Sequence, residues 1–425
     1  MFYLKKLLNK YGTINVSVVG TGLMGISLVT QLNLLDNFSP RVVSSRRITS
    51  VLSAYERAGV DKNLIKIAYD FDSALSYFNE GFFIATTDSK IAASLGDCVV
   101  DCTGDTEEGV KICLQAMESG VDIVSLNVEM DATVGPYLKV LSDRAGVVYS
   151  GTAGDEPGAI MELYEFAKFS GFEVLVLGKG KNNKLNNYIT NEDVKEEAKS
   201  KNLNPRMLTS FIDGTNTMVE LNAVCNATGF VPDVRGCHYF KTDKENLASD
   251  IDLVENGSKL NSYGVVDFAS GVAPGVFAII RPKAELISAE MKFLSMGVGP
   301  NFALYRPYHL TSIETPISIA RAVLLKDSTI APTGKPVAET ITIAKRDLKA
   351  GEIIGGIGSD DIFGVLEKAQ IQKEENLLPI GLVVGKVKML KDVKKATPIK
   401  YEDVCLEENS EIVKIRRRQD KFWVD

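Results

Sequence analysis

The chain has 425 residues, 45% hydrophobic and 24% charged, with a formal net charge of −7. That length exceeds one ordinary core and points to two or three domains. The acidic balance argues against general binding to nucleic acid or an anionic membrane surface, and no apolar run reaches the roughly 20 residues that cross a bilayer.

The opening "MFYLKKLLNKYG" reads as an amphipathic helix leading into a strand, since no long apolar stretch or small-residue cleavage site follows it. Six cysteines without a CxxC pair read as reduced thiols in a cytoplasmic protein. From Ile14 onward strand and helix alternate. "INVSVVG" is a β-branched run, "MGISLVTQLNLL" has helical spacing, and "RVVSS" is a second strand. "SVLSAYERAG" reads as a helix ending at Gly59. "GFFIAT", "CVVDCTG" and "VDIVSLNVE" supply further strands, and "EEGVKICLQAMESG" is a crossover helix. The expectation is a Rossmann-like, doubly wound parallel sheet over residues 1–150.

From Gly151 the texture becomes mixed. "GTAGDEPGAIMELYEFAKFSG" is a glycine-rich turn feeding a helix, and "FEVLVLGKGKNN" is a strand ending in a basic, amide-rich loop. "FIDGTNTMVELNAVCNATG" starts as loop and continues as helix, and "GVVDFASGVAPGVFAIIRP" reads as strand, turn and strand. A helix over residues 311–324 is expected to return toward the first domain. The predicted second domain, 151–334, is α+β. A small β-rich third, 335–425, contains two similar pieces, "RDLKAGEII" (346–354) and "KDVKKATPI" (391–399), and so reads as two related halves. The tail "KIRRRQDKFWVD" reads as a solvated cationic face.

The first strand and helix flank "GTGLMG", with Gly20, Gly22 and Gly25 in GxGxxG spacing and Thr21, Leu23 and Met24 between them. In this context the pattern predicts a dinucleotide site, with pyrophosphate at the helix N-terminus. An acid at the end of the second strand would hold the ribose hydroxyl of NAD. This chain has Ser44, Ser45, Arg46 and Arg47 there, and guanidinium forks with hydroxyl donors suit a 2′-phosphate. NADP is therefore the expected cofactor. Cys102, Thr103 and Gly104 end another strand on the ligand side, and Asn127 and Glu129 end the next. Glu129 is read either as a group near the nicotinamide or as a helix-cap carboxylate.

The segments "GTGLMG", "DCTGD", "LNVEMD", "AGDEPGA", "GKGKNN", "FIDGT", "TMVE" and "RPYHLTSIETPISIARAVL" resemble the homoserine dehydrogenase-like oxidoreductases that carry a C-terminal SAF module. Among these the 1-deoxy-D-xylulose 5-phosphate reductoisomerase-like (DRL) enzymes are best known. The likeness runs along nearly the whole chain. It implies a nucleotide domain, a catalytic domain forming a homodimer contact, and an SAF-like domain. It also implies NADPH as cofactor and conversion of deoxyxylulose phosphate to methylerythritol phosphate, an isoprenoid precursor.

That chemistry stabilises an enediolate or retro-aldol oxygen with a cation or a metal, then delivers hydride with a proton donor nearby. On the match to "GKGKNN", Lys179 is expected as electrophile or proton donor and Lys181 as phosphate ligand, with Asn182 and Asn183 beside the substrate. A surface basic turn is the plainer alternative. Asp155, Glu156, Asp213 and Glu220 form the acidic counterpart, read either as holders of a divalent ion (magnesium or manganese) or as helix caps. Arg235 and Arg306 are candidate anion clamps. His309 is either an orienting or a structural group. Asn216 stands where homoserine dehydrogenases proper would carry a lysine, which weakens homoserine as the substrate. Two alternatives stay open, namely oxidation of another hydroxy acid and a non-catalytic nucleotide- or carbohydrate-binding role.

Overall fold

Short β-branched runs buried on both faces build the first sheet. The computed structural model describes residues 2–201 and 203–424. Seven strands pair in parallel: β1 (Ile14–Val19), β2 (Phe38–Ser44), β3 (Ile65–Ile67), β4 (Phe83–Thr86), β5 (Cys98–Asp101), β6 (Asp122–Ser125) and β7 (Tyr149–Gly151). Their order is β3-β4-β2-β1-β5-β6-β7. Val16, Val18, Val43 and Val100 are fully buried in the core. Each such side chain contributes about 1.5–3 kcal/mol relative to exposure. The chain runs outward from β1 through β2 on one side and through β5 on the other, so the ends of β1 and β5 border the crevice where ligands bind in such sheets.

The first compact unit comprises Met1–Met130, Val134–Gly158 and Leu310–Ala331. The last of these pieces holds the helix Thr311–Ala320, which returns to the nucleotide-type sheet as the sequence predicts. Its Ser312 hydroxyl donates to the Met24 carbonyl at 3.0 Å, and Ser318 accepts from the Ala153 amide at 2.8 Å. Three details differ from the sequence reading. β6 stops at Ser125, and a helix begins at Val128. Asn127 therefore caps that helix rather than ending a strand, and Glu129 lies in its first turn. A further helix, Pro205–Asp213, occupies what reads as loop, because Asn204 caps it and Pro205 takes a position where no amide proton is needed.

The second unit comprises Asp131–Thr133, Ala159–His309 and Pro332–Asp425. Its larger sheet has the order β10-β11-β8-β12-β13, with β9 (Val231–Pro232) beside β11. The strands are β8 (Glu173–Gly180), β10 (Phe240–Lys241), β11 (Val265–Ser270), β12 (Val276–Arg281) and β13 (Phe302–Arg306). β11 and β12 are the strand, turn and strand expected, but they do not pair with each other. β8 lies between them, parallel to β11 and antiparallel to β12.

Residues 335–425 belong to this same unit. They supply β14 (Ala338–Ala344) against β16 (Ile362–Lys368), and a three-stranded sheet of β15 (Ile353–Ile354), β17 (Val387–Met389) and β18 (Val404–Cys405). The two similar pieces of sequence meet each other. Leu348 and Val393 exchange backbone hydrogen bonds of 2.8 and 3.0 Å. Asp347 pairs with Lys394 and Asp392 with Lys349, at 2.8 and 2.7 Å. Gly351 donates to the Met389 carbonyl as Ala396 donates to that of Ala344. Each interaction recurs with its partners exchanged, a local pseudo-twofold between halves 45 residues apart.

The cationic tail is a solvated face at Lys414, Arg417 and Arg418, as expected, but not at Arg416. The helix Glu411–Phe422 buries Ile412, Val413 and Ile415 together with Arg416. Arg416 Nη1 lies 2.5 Å from Glu339 Oε2, and Nε lies 2.8 Å from Asp420 Oδ1. A guanidinium enters a core only with such partners.

Candidate active site

The turn after β1 is shaped by contact as well as by glycine's freedom. Gly20 has φ of 103°, and a Cβ there would lie 2.7 Å from the Cys102 carbonyl oxygen. A Cβ on Gly25 would lie 1.9 Å from the Gly20 oxygen, so the helix Leu23–Leu34 packs against the turn itself. Gly22 differs: nothing lies within 4 Å of its would-be Cβ. It leaves open space at a helix N-terminus, the requirement for a close-approaching pyrophosphate. Leu23 and Met24 are exposed on that first turn.

At the end of β2 the four candidates separate. Ser44 is buried and its carbonyl accepts from the Gly20 amide at 2.8 Å, which makes it part of the sheet. Ser45 is half-buried and accepts from the Thr21 hydroxyl at 2.9 Å. Arg46 and Arg47 are exposed, and among the described residues no carboxylate lies within ion-pair distance of either.

Asp101, which the motif reading passed over, organises the end of β5. It is fully buried and accepts from the Thr103 amide at 2.8 Å, the Thr103 hydroxyl at 2.6 Å and Asn127 Nδ2 at 3.0 Å. Burial raises its pKa to about 6, against the pull of those hydrogen bonds. The Asn127 carbonyl accepts from the Met130 amide, and its Nδ2 also meets the Asp105 carbonyl at 2.9 Å. Asn127 is thus committed to bracing the site from inside. Burial, with Asp101 nearby, raises Glu129 to about 7. Cys102 is half-buried beside Gly25, whereas Gly104 is exposed and open around its α-carbon.

In the second unit β8 carries Lys179 to its end, and the next strand residues place Lys181 just beyond it. Both are buried, at 3% and 6% exposure, so neither is a surface basic turn. Lys179 Nζ pairs with Glu220, itself 3% exposed. Asn216, one turn earlier on the helix Thr215–Thr228, donates to the other Glu220 oxygen at 2.6 Å. Lys181 donates to the Phe211 carbonyl at 2.6 Å. A buried ammonium held by a carboxylate is a positioned proton donor and a fixed positive charge. Asn182 is exposed and Asn183 half-buried on the loop that follows.

The remaining candidates take other partners. Asp213 does not join Lys179: its Oδ2 lies 2.8 Å from Lys345 Nζ, and its Oδ1 accepts from the Thr215 amide. Burial pushes its pKa up, opposed chiefly by the Lys345 charge. Arg235 is no anion clamp, because Glu367 and Glu375 take its guanidinium at 2.5 and 2.9 Å. Arg306 pairs with Glu162 at 3.0 Å and lies over the Tyr308 ring. His309 is half-buried shortly after β13, and Asp155 and Glu156 are half-buried where the helix Glu156–Phe169 begins.

Residues 154–315, which include both lysines and Glu220, match a family model described as the catalytic domain of oxidoreductase DRL. Over this segment the chain is DRL-like. The resemblance read from sequence covers more of the chain, and the Lys179–Glu220 pair lies within the matched segment. No curated protein matches the chain. Among solved structures, one described as a probable dehydrogenase from Thermotoga maritima shares 14% identity over 63% of this chain and 72% of its own, with a TM-score of 0.37. A 1-deoxy-D-xylulose 5-phosphate reductoisomerase from Zymomonas mobilis, in complex with NADPH, shares 16% over 49% and 56%, at 0.36. An apo scyllo-inositol dehydrogenase from Lactobacillus casei shares 9% over 75% and 90%, at 0.40. Scores and identities of this size carry neither cofactor nor substrate to the DRL-like chain. Among the described residues, no helix is long and apolar enough to cross a membrane.

Proposed function

We propose that the protein is an NADPH-dependent reductase of a small phosphorylated ketose, acting with isomerisation as in the 1-deoxy-D-xylulose 5-phosphate reductoisomerase-like enzymes. The observation that carries the reading is the buried Lys179–Glu220 pair, held by Asn216, within the DRL-like segment. Hydride addition to a carbonyl carbon leaves charge on its oxygen. An ammonium fixed beside that oxygen stabilises the charge and hands over the proton.

NADPH in place of NADH rests on the exposed, unpaired Arg46 and Arg47 at the end of β2. The open space at Gly22 fits a dinucleotide, which supplies the hydride when bound. Lys181 is the group this reading gives to the substrate phosphate. Asp155 and Glu156 are the pair it gives to a divalent ion. A homodimer, carried by the family resemblance, and a cytoplasmic location, carried by the six cysteines without a CxxC pair, belong to the same proposal.

The test is NADPH and NADH consumption with 1-deoxy-D-xylulose 5-phosphate, with and without magnesium or manganese. NADPH-selective turnover to a reduced polyol phosphate supports the reading. Tight NADPH binding without turnover would leave a dinucleotide protein with a different substrate, and the ketose phosphate would be abandoned.

A further inference from the structure

We infer that Lys345, in the C-terminal segment, is a positioning residue for Lys179 and Lys181. The inference rests on the reductase reading for its purpose, but not for its geometry.

Lys345 follows β14 directly and is 4% exposed. Its ammonium donates to the Ser359 carbonyl at 2.9 Å and the Ile189 carbonyl at 3.2 Å, and it forms an ion pair with Asp213 Oδ2 at 2.8 Å. Two of those partners lie on the segment between β8 and the helix Thr215–Thr228.

Asp213 is the hinge of that segment. Two residues before it, the Phe211 carbonyl accepts from Lys181. Two residues after it, the Thr215 amide donates to the Asp213 carboxylate and starts the helix that carries Asn216 and Glu220. The Asp213 carbonyl also accepts from Asn187 Nδ2 at 2.7 Å, which ties back the loop after Lys181. One carboxylate therefore sets the position of the oxygen that holds Lys181 and of the helix that holds Lys179. Lys345 fixes that carboxylate. A second tie, from the Gly364 amide to the Thr215 hydroxyl at 2.8 Å, anchors the same helix start to β16.

The pseudo-twofold supplies an independent reason to single out Lys345. Its counterpart in the second half, 45 residues on, is Leu390. The two share a backbone role, since the Lys345 amide donates to the Asp361 carbonyl and the Leu390 amide to that of Asp403. Their side chains diverge completely. Leu390 is 54% exposed, whereas Lys345 turns a charge inward. The module's own architecture does not need a lysine here, and what differs between the halves is the lysine-bearing segment that Lys345 reaches.

The test is competitive trace acetylation of the whole protein, with Lys179 and Lys181 read by mass spectrometry across pH. It needs no substrate, so its outcome is separate from that of the ketose assay. In Lys345→Met both lysines are expected to label about tenfold faster, because a loosened Phe211 carbonyl and Glu220 helix let the buried amines open to the reagent more often. Labelling of the exposed Lys349 should not change. Lys345→Arg keeps the charge but not the three-way geometry, and partial recovery is expected. Should Lys345→Met not fold, Lys345→Met with Asp213→Asn removes both charges and is expected to show the same rise. Unchanged labelling of Lys179 and Lys181 in any folded variant lacking the Lys345 charge would overturn the inference. Faster labelling of every lysine, Lys349 included, would do so as well, since that marks general loosening.

Discussion

The two candidate regions are built in opposite ways. The glycine turn is made by residues close in sequence, is open at Gly22 and leaves Arg46 and Arg47 exposed. The lysine region is closed. Lys179 and Lys181 are buried, and each is held by a residue at least 30 positions away. A binding surface keeps its donors for the ligand, whereas a group meant to hold a proton at one point needs its own side chain fixed first. The contrast teaches where each kind of mutation should register, on ligand affinity in the first region and on both stability and chemistry in the second.

The largest effect tests the closed region. Lys179→Met takes the ammonium away from the buried Glu220 carboxylate, and about 3–5 kcal/mol of unfolding free energy should be lost. Adding Glu220→Gln removes the buried negative charge and should restore most of it. Urea unfolding of the two variants beside the native protein measures this directly, and equal loss in both would show that the pair contributes nothing as a pair. In the open region, Gly25→Ala drives a methyl against the Gly20 carbonyl and should cost about 3 kcal/mol, while Gly22→Ala should leave stability unchanged and weaken only the dinucleotide. If thermal unfolding ranked these two alanines the other way, the description of the turn would be wrong.

A pH titration spans both units. Burial raises Asp101 and Asp267 to about 6, and Glu129 and Glu339 to about 7. A carboxyl with a raised folded pKa keeps its proton longer in the folded chain than in the unfolded one. Its ionisation therefore costs stability above the folded pKa, and the cost disappears as pH falls through that value toward about 4. Between pH 8 and pH 5 the protein should gain several kcal/mol, about 1.4 from each acid at about 6 and about 2.7 from each at about 7. A flat or falling unfolding midpoint on acidification over this range would contradict the assigned burial. The smallest effect is on binding alone. Arg46→Ala with Arg47→Ala should weaken NADPH by about 2 kcal/mol, through lost charge-assisted bonds, and leave NADH nearly unchanged by isothermal titration. Equal weakening of both would remove the case for the 2′-phosphate.

The same contrast explains what could be read from sequence. GxGxxG and the arginines after β2 are contiguous, so spacing alone located them, and the alternation of strands and helices gave the first sheet. The likeness between residues 346–354 and 391–399 foretold two related halves, which pair with one another across the pseudo-twofold. What escaped was long-range partnership. Nothing near Asp213 in sequence announces Lys345, 132 residues on, and nothing near Arg235 announces Glu367. The insertion of β8 between β11 and β12 is likewise a matter of pairing, which local pattern does not encode. Asn127 was misread for a different reason. Its strand is short, and the Asn that stops it is also the cap that starts the next helix. Asp101 carried a legible signal, an acid closing an otherwise apolar strand, but its work is to hold Thr103 and Asn127 rather than to touch a ligand.

The central claim is that Lys179 is the proton donor of an NADPH-dependent reduction. The most direct measurement compares NADPH oxidation with 1-deoxy-D-xylulose 5-phosphate by the native protein and by folded Lys179→Met, Glu220→Gln, with NADPH affinity determined for both. A fall in turnover of about a thousandfold at unchanged NADPH affinity is the predicted result, in line with loss of one general acid. Undiminished turnover by the variant would contradict it.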